Sequence, residues 1–155
     1  MTRTAEPVRF EEIGASDFLD MAMPLLAEHR EELATDKALM VLKPDRERYE
    51  ALDDLGMLLV IGAFRGEELV GYSANIISPN LHYSDLTMCQ NDVLFVRKAD
   101  RKGPLGLKLI RETEKRGKAR GAQIMLWHAK PGTSLDKLMP RMGASVQDVI
   151  WKRNL

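Results

Sequence analysis

The chain has 155 residues, 45% of them hydrophobic, with 23 Lys and Arg balanced by 23 Asp and Glu; that suits the core of one ordinary domain, predicted over 1–155. No apolar run reaches the roughly 18 residues of a spanning helix and no charged-then-apolar leader opens the sequence, so a cytosolic protein with no membrane partner is expected. The lone Cys89 excludes an internal disulfide framework, and with three scattered histidines it makes no zinc spacing, so no metal is expected either.

In chain order, Val8 to Ile13 alternates as a first strand, and Ser16 or Asp17 is placed to cap an amphipathic helix running towards His29, interrupted near Pro24. A second helix begins after Lys43-Pro44-Asp45 and reaches about Leu55. The apolar runs "MLLVIGAF" and "LVGYSANII" flank the polar turn Arg65-Gly66-Glu67-Glu68 and predict a hairpin. Pro79 to Ser84 reads as a loop. Leu86 to Val96 reads as a strand long enough that Gln90-Asn91-Asp92 falls inside it or at a bulge.

Next comes "VRKADRKGPLGLKLIRE", a glycine corner opening a helix in which Leu105, Leu109 and Thr113 share one face, Gly106, Ile110 and Gly117 the adjoining one, and Lys108, Arg111, Lys115 and Lys118 point outward. Gly121 stops that helix. "QIMLWHA" reads as a strand buried on both faces, Thr133 or Ser134 caps a short helix over Leu135 to Met142 ended by Gly143, and "SVQDVIWKRN" is expected as a last strand.

Charge is unevenly spread: residues 1–54 hold fourteen acidic and seven basic side chains, whereas Arg97 to Arg120 holds ten basic and three acidic ones. A basic block of this kind is either a solvated helix face or a surface for phosphate ligands. The corner favours phosphate, because a helix start leaves N–H groups unpaired, carries partial positive charge, and with glycines lets an anion approach the backbone. Arg101 and Lys102 add full charges, and Pro104 fits the first helical position. Neither Gly-Lys-Ser/Thr nor G-x-G-x-x-G is present, so the common nucleotide motifs are excluded.

The stretch "DVLFVRKADRKGPLGLKLI" resembles the acetyl-CoA-binding segment of the GNAT superfamily of N-acetyltransferases, in which a strand ending in Val is followed five residues later by Arg or Gln opening an R/Q-x-x-G-x-G/A turn. The element order from about Val8 to Arg153 is similar to that of the family, "RMGASVQDVIWKR" resembles its closing segment, and "HYSDLTMCQNDVLFV" and "LWHAKPGTSLDKLMPRMG" resemble a branch found in phage and prophage genomes. The resemblance implies an α/β (α+β) fold: a mixed, mostly antiparallel sheet with helices on both faces and a splayed central strand pair. It also implies acetyl-CoA as co-substrate and transfer of its acetyl group to a primary amine. The backbone of Leu94 and Val96 would meet the pantetheine arm, and Arg101, Lys102, Gly103, Leu105 and Gly106 the phosphates. The chain departs from the family pattern at Pro104, which replaces the central glycine and lacks an N–H, and at Met139, where many relatives carry a tyrosine that protonates the departing thiolate.

Transfer needs a base for the amine, a donor for the oxyanion and a proton for the thiolate. Asp92 is expected to alternate onto the face of Leu94 and Val96 and to accept a proton, and His128, ending the neighbouring strand, suits a relay near neutral pH. His82 and Tyr83 are placed to shape the acceptor pocket, with Tyr72 a weaker candidate; Trp127, Trp151 and Cys89 read as packing residues. Two alternatives stand beside the enzyme: an acyl-CoA-binding or structural protein of the same fold that has lost the reaction, and a nucleic-acid-binding module using Lys108, Arg111, Lys115 and Lys118. Neutral overall charge and the absence of aromatic residues from the basic block argue against nucleic acid. The acidic N-terminal half hints at a cationic acceptor, and a homodimer is compatible with the sequence.

Overall fold

The computed structural model describes residues 6–155. Its elements in order are β1 (Val8–Glu12), α1 (Ala15–Leu33), α2 (Arg46–Asp54), β2 (Leu58–Arg65), β3 (Glu68–Pro79), β4 (Thr87–Val96), a 3-10 turn (Lys98–Asp100), α3 (Leu105–Ala119), β5 (Ile124–Leu126), α4 (Ser134–Leu138) and a second 3-10 turn (Met139–Met142). The strands form one sheet in the order β1-β2-β3-β4-β5, antiparallel except for the parallel pair β4 and β5.

The sheet is covered on both faces, which is why β2 and β3 read as continuous apolar runs. On one side Phe18, Leu19, Ala22 and Leu25 of α1 pack with Leu58, Val60, Tyr72 and Phe95. On the other, Leu105 and Leu109 of α3 pack with Leu59, Ile61, Val70, Cys89 and Val96. The α3 face is the one its periodicity predicts, with Leu105, Leu109, Ile110, Thr113 and Gly117 buried. Gly117 faces Cys89, whose sulfur lies 3.4 Å from where a Cβ would sit, so α3 rests directly on β4 there. The hairpin also forms as expected, with Gly66 at φ 61° in the turn between β2 and β3.

Four local expectations are corrected. Pro24 does not interrupt α1, which runs through it to Leu33. Neither Ser16 nor Asp17 caps α1; Gly14 precedes it, and the Asp53 carboxylate at the end of α2 accepts from the Ala15 N–H at 2.8 Å, a long-range cap no local pattern announces. β5 is far shorter than "QIMLWHA", lies at the edge of the sheet with β4 alone beside it, and is only half-buried, with Ile124 exposed. The last strand is absent: residues 144–155 have no regular structure, with Val146, Ile150 and Trp151 exposed. An alternating pattern becomes a strand only where a neighbour completes its ladder, and this segment is tied instead by Asn154 and Lys152 to Asp36 at 3.0 and 3.6 Å.

Among the described residues, no helix is long and apolar enough to cross a membrane, and no group of three His, Cys, Asp or Glu stands together to hold a metal ion.

Candidate active site

The parallel ladder between β4 and β5 covers only Met88–Ile124, Cys89–Met125 and Gln90–Leu126. Beyond it β4 continues to Val96 beside β3 alone, so the two strands part and open a gap along β4. Arg97 N–H donates to Val70 O at 2.9 Å, towards β3. Since main-chain groups alternate sides along a strand, Leu94 and the N–H of Val96 face the opposite edge, into the gap, while the Val96 carbonyl is taken by Arg101 Nε at 2.8 Å.

At the start of the gap sits a bulge. Ala74 pairs with Val93 and Asn75 with Asn91, leaving Asp92 without a partner on β3. The extra residue reverses the facing of the rest of the strand: Val93 packs with the α1 core, whereas Leu94 packs with the α3 core. Asp92 therefore does not share a face with Leu94 and Val96, as simple alternation predicts. It is exposed on the α2 side, where its negative charge, added to burial, helps to push the Tyr49 phenol up to about 12. The bulge is held by a buried amide network: Asn91 Nδ2 donates to Asn75 Oδ1 at 2.9 Å and to the Val93 carbonyl at 3.0 Å, while Asn75 Nδ2 donates to the Leu59 carbonyl at 3.0 Å.

The glycine corner closes the far end of the gap. Gly103 has φ 103°, a conformation essentially confined to glycine, and a Cβ at Gly103 or Gly106 would meet nothing within 4 Å, so the backbone there is open. Pro104 lies one residue ahead of its expected position, preceding α3 rather than opening it, and its carbonyl accepts from the Lys108 N–H at 2.9 Å. Because no side chain caps α3 and its first turn has no acidic residue, the N–H groups of Leu105, Gly106 and Leu107 face an open, electropositive helix start. Lys102 is exposed beside them. These features fit an anion such as a phosphate group.

The corner is anchored from below by Asp100, buried between Arg97 Nε at 2.7 Å and Arg65 Nε at 3.1 Å. Arg101 turns away from the helix start. Its Nε donates to the Val96 carbonyl at 2.8 Å, both terminal nitrogens donate to the Glu32 carboxylate at 2.6 Å, and the guanidinium lies 5.1 Å over the Phe95 ring. This hydrogen bonding holds the Glu32 carboxyl below its ordinary range. One turn earlier, His29 stacks on Phe95 at 4.8 Å and its Nδ1 lies 3.2 Å from the buried Tyr72 hydroxyl; burial lowers its imidazole's proton affinity.

His128 is exposed just beyond β5, its Nε2 3.3 Å from Gln90 Nε2, which places it across the opening from the residue two before Asp92. His82 and Tyr83 lie in the exposed loop before β4, both N–H groups donating to Asn80 Oδ1, at 2.9 and 3.1 Å; the length of β4 separates them from the corner. Tyr72 is fully buried and lines no cleft. Trp127 packs against α3 through a 3.0 Å bond to Glu114, Trp151 is 90% exposed, and burial pushes the Cys89 thiol up to about 11. A concavity of about 430 Å3 lined by Asp17, Glu50, Asp53 and Asp54 sits at the other end of α1 from Arg101's partner Glu32 and is separate from the gap.

The basic block divides into paired and exposed side chains. Arg97, Arg101, Arg116 and Arg120 pair with Glu68 and Asp100, with Glu32, with Glu112 and Glu12, and with Glu12, respectively. Lys108, Arg111, Lys115 and Lys118 remain exposed on α3. Sequence reasoning missed Glu28 and Glu32, whose partners lie 70 and 69 residues away, His29, whose partner Tyr72 lies 43 away, and the amide network of Asn75 and Asn91, whose only local signal is an amide in the middle of an apolar strand.

A parallel strand pair that parts beside a bulge and a glycine corner leading into a helix, within this sheet order, defines the GNAT fold. The chain is similar over nearly its whole length to solved GNAT-fold acetyltransferases. One is an aminoglycoside acetyltransferase from an uncultured soil metagenomic sample, with 18% identity over 96% of this chain and 99% of that one and a TM-score of 0.75. Another is a ribosomal-protein-alanine N-acetyltransferase from Brucella melitensis, with 19% identity over 96% and 97% and a TM-score of 0.66. A third is an aminoglycoside N-acetyltransferase in complex with CoA, with 16% identity over 99% of both chains and a TM-score of 0.65. At these identities the likeness shows the fold. No protein-family model and no curated protein matches the sequence.

Proposed function

We propose that the chain is an acyl-CoA-dependent N-acetyltransferase acting on a primary amine. The observation that carries this reading is that β4 parts from β5 well before the glycine corner: the main-chain groups of Leu94 and the N–H of Val96 stand on the unpaired edge, and the open N–H groups at the start of α3 follow. A pantetheine arm matches the former and a pyrophosphate the latter. The CoA complex of a chain with the same fold supports that choice of ligand.

When bound, the thioester supplies an electrophilic carbonyl. The protein's part is to hold the amine beside it and move protons. Asp92, released from the ladder by the bulge and exposed on the α2 side, accepts the proton of the incoming ammonium, directly or through one water. A free main-chain N–H of β4 in the gap stabilises the oxyanion. With Met139 in place of a tyrosine, the thiolate takes its proton from solvent or from His128, across the gap beside Gln90. The excess of acidic over basic side chains in residues 1–54, fourteen against seven, favours a cationic acceptor.

A thiol-release screen of diverse amines, aminoglycosides and N-terminal alanyl peptides included, with acetyl-CoA tests the reading. Saturable, amine-dependent CoA release supports it. CoA binding without release on any amine would instead establish the non-catalytic protein of the same fold.

A further inference from the structure

We infer that Glu32 is a positioning residue for the cofactor corner, and that Arg101 serves the phosphate site as the strut Glu32 holds rather than as a ligand of the phosphate. The inference rests on the proposed CoA-binding role of the corner, but its geometry is independent of it. Three of the five N–H groups of Arg101 are engaged: that of Nε with the Val96 carbonyl at 2.8 Å, and one from each terminal nitrogen with the two Glu32 oxygens at 2.6 Å. Fork-to-fork pairing of this kind fixes direction as well as distance. The direction is across the sheet edge, towards Phe95 and α1, whereas the open N–H groups belong to α3 on the opposite face.

A second contact on the same helix face repeats the arrangement. Glu28, one turn before Glu32, accepts from the Lys98 N–H at 3.3 Å, so α1 grips the corner at both its first and fourth residues. Between these two carboxylates His29 stacks on Phe95, the residue that precedes Val96. The C-terminal half of α1 thus holds the end of β4 and the corner in one register. At the corner itself a Cβ on Gly103 would meet nothing within 4 Å, so side-chain packing adds nothing to hold the main chain at that residue.

The Glu32–Arg101 pair is partly solvated, with side-chain exposures of 39% and 37%, so its removal changes overall stability little. Its effect falls on ligand binding, because a corner that must be ordered on binding binds more weakly than one already in place. With Arg101 neutralised by Glu32, the positive potential that meets the anion comes from Lys102 and the start of α3.

The test compares the parent with Glu32→Gln, Arg101→Gln, and the charge-reversed pair Glu32→Arg with Arg101→Glu. CoA dissociation constants are measured by calorimetry and amide exchange over 98–106 without ligand. Each single variant is expected to raise the CoA dissociation constant roughly three- to tenfold, to speed exchange at the corner and to leave the melting temperature nearly unchanged. The reversed pair is expected to recover most of the lost affinity and protection. Tighter CoA binding by Glu32→Gln would show that the carboxylate competes with phosphate for Arg101 and would overturn the inference. So would unchanged exchange in both single variants. If the parent itself binds no CoA, the cofactor reading fails while the exchange comparison still decides whether Glu32 positions the corner.

Discussion

Replacing Asn91 by Ala probes the device that sets Asp92 apart from its strand. Asn91 is 1% exposed, and its amide donates to Asn75 Oδ1 at 2.9 Å and to the Val93 carbonyl at 3.0 Å, with longer contacts of 3.3 and 3.5 Å to the Ala74 carbonyl and Ser73 Oγ. Truncation removes two donated bonds, each worth about 0.5–1.5 kcal/mol net, and leaves Asn75 Oδ1 only the 3.3 Å contact from Ser73 Oγ, so the loss is about 1–3 kcal/mol. For a domain of this size that corresponds to a fall in melting temperature of about 2–12 °C. Urea denaturation at pH 7 with an unchanged m-value is the direct measurement. Asn91→Asp places a carboxylate among carbonyl oxygens and is expected to be worse, increasingly so as pH rises above the ordinary carboxylate range of about 4. A loss below about 0.5 kcal/mol for Asn91→Ala would show that the bulge stands without the amide and would refute the reasoning.

Three further outcomes are expected. Gly103→Ala forces a side chain into φ 103°, a strain of about 1–3 kcal/mol, and should weaken CoA binding about tenfold by calorimetry, whereas Pro104→Gly, which restores an N–H, should be tolerated. In steady-state assays on a confirmed amine, Asp92→Asn is expected to lower kcat more than tenfold with CoA affinity intact, His128→Gln less; parental rates in both across pH 6 to 9 would leave the reaction to positioning of an already neutral amine. His29 titrates below its ordinary 6.5 because burial disfavours its cation, with Lys130 and Arg101 adding to that and Glu32 opposing it. The unfolded chain then binds more protons, so stability falls as pH drops from about 6.5 towards the lowered value. His29→Gln should flatten that part of a melting-temperature profile between pH 7 and 5.

Much of the fold was legible because its signals are local. The turn at Gly66, the face of α3, the start of α2 just after Asp45, and the glycine corner each declare themselves within a few residues. The illegible parts depend on distant partners. The α1 cap is supplied by Asp53, the missing last strand depends on what lies beside β5, and Arg101's partner sits sixty-nine residues away. Asp92 shows the limit most clearly: its place in the strand and the chance of a bulge were readable, but the reversal of facing arises from pairing with Ala74 and Asn75, which no pattern within β4 records.

The most direct test of the central claim is a calorimetric titration of the parent chain with CoA and, separately, with pantetheine lacking the phosphates. One CoA is predicted to bind per chain, with pantetheine at least tenfold weaker because it leaves the N–H groups at the start of α3 and Lys102 without an anion. No measurable binding of CoA, or equal affinity for the two ligands, would contradict that claim.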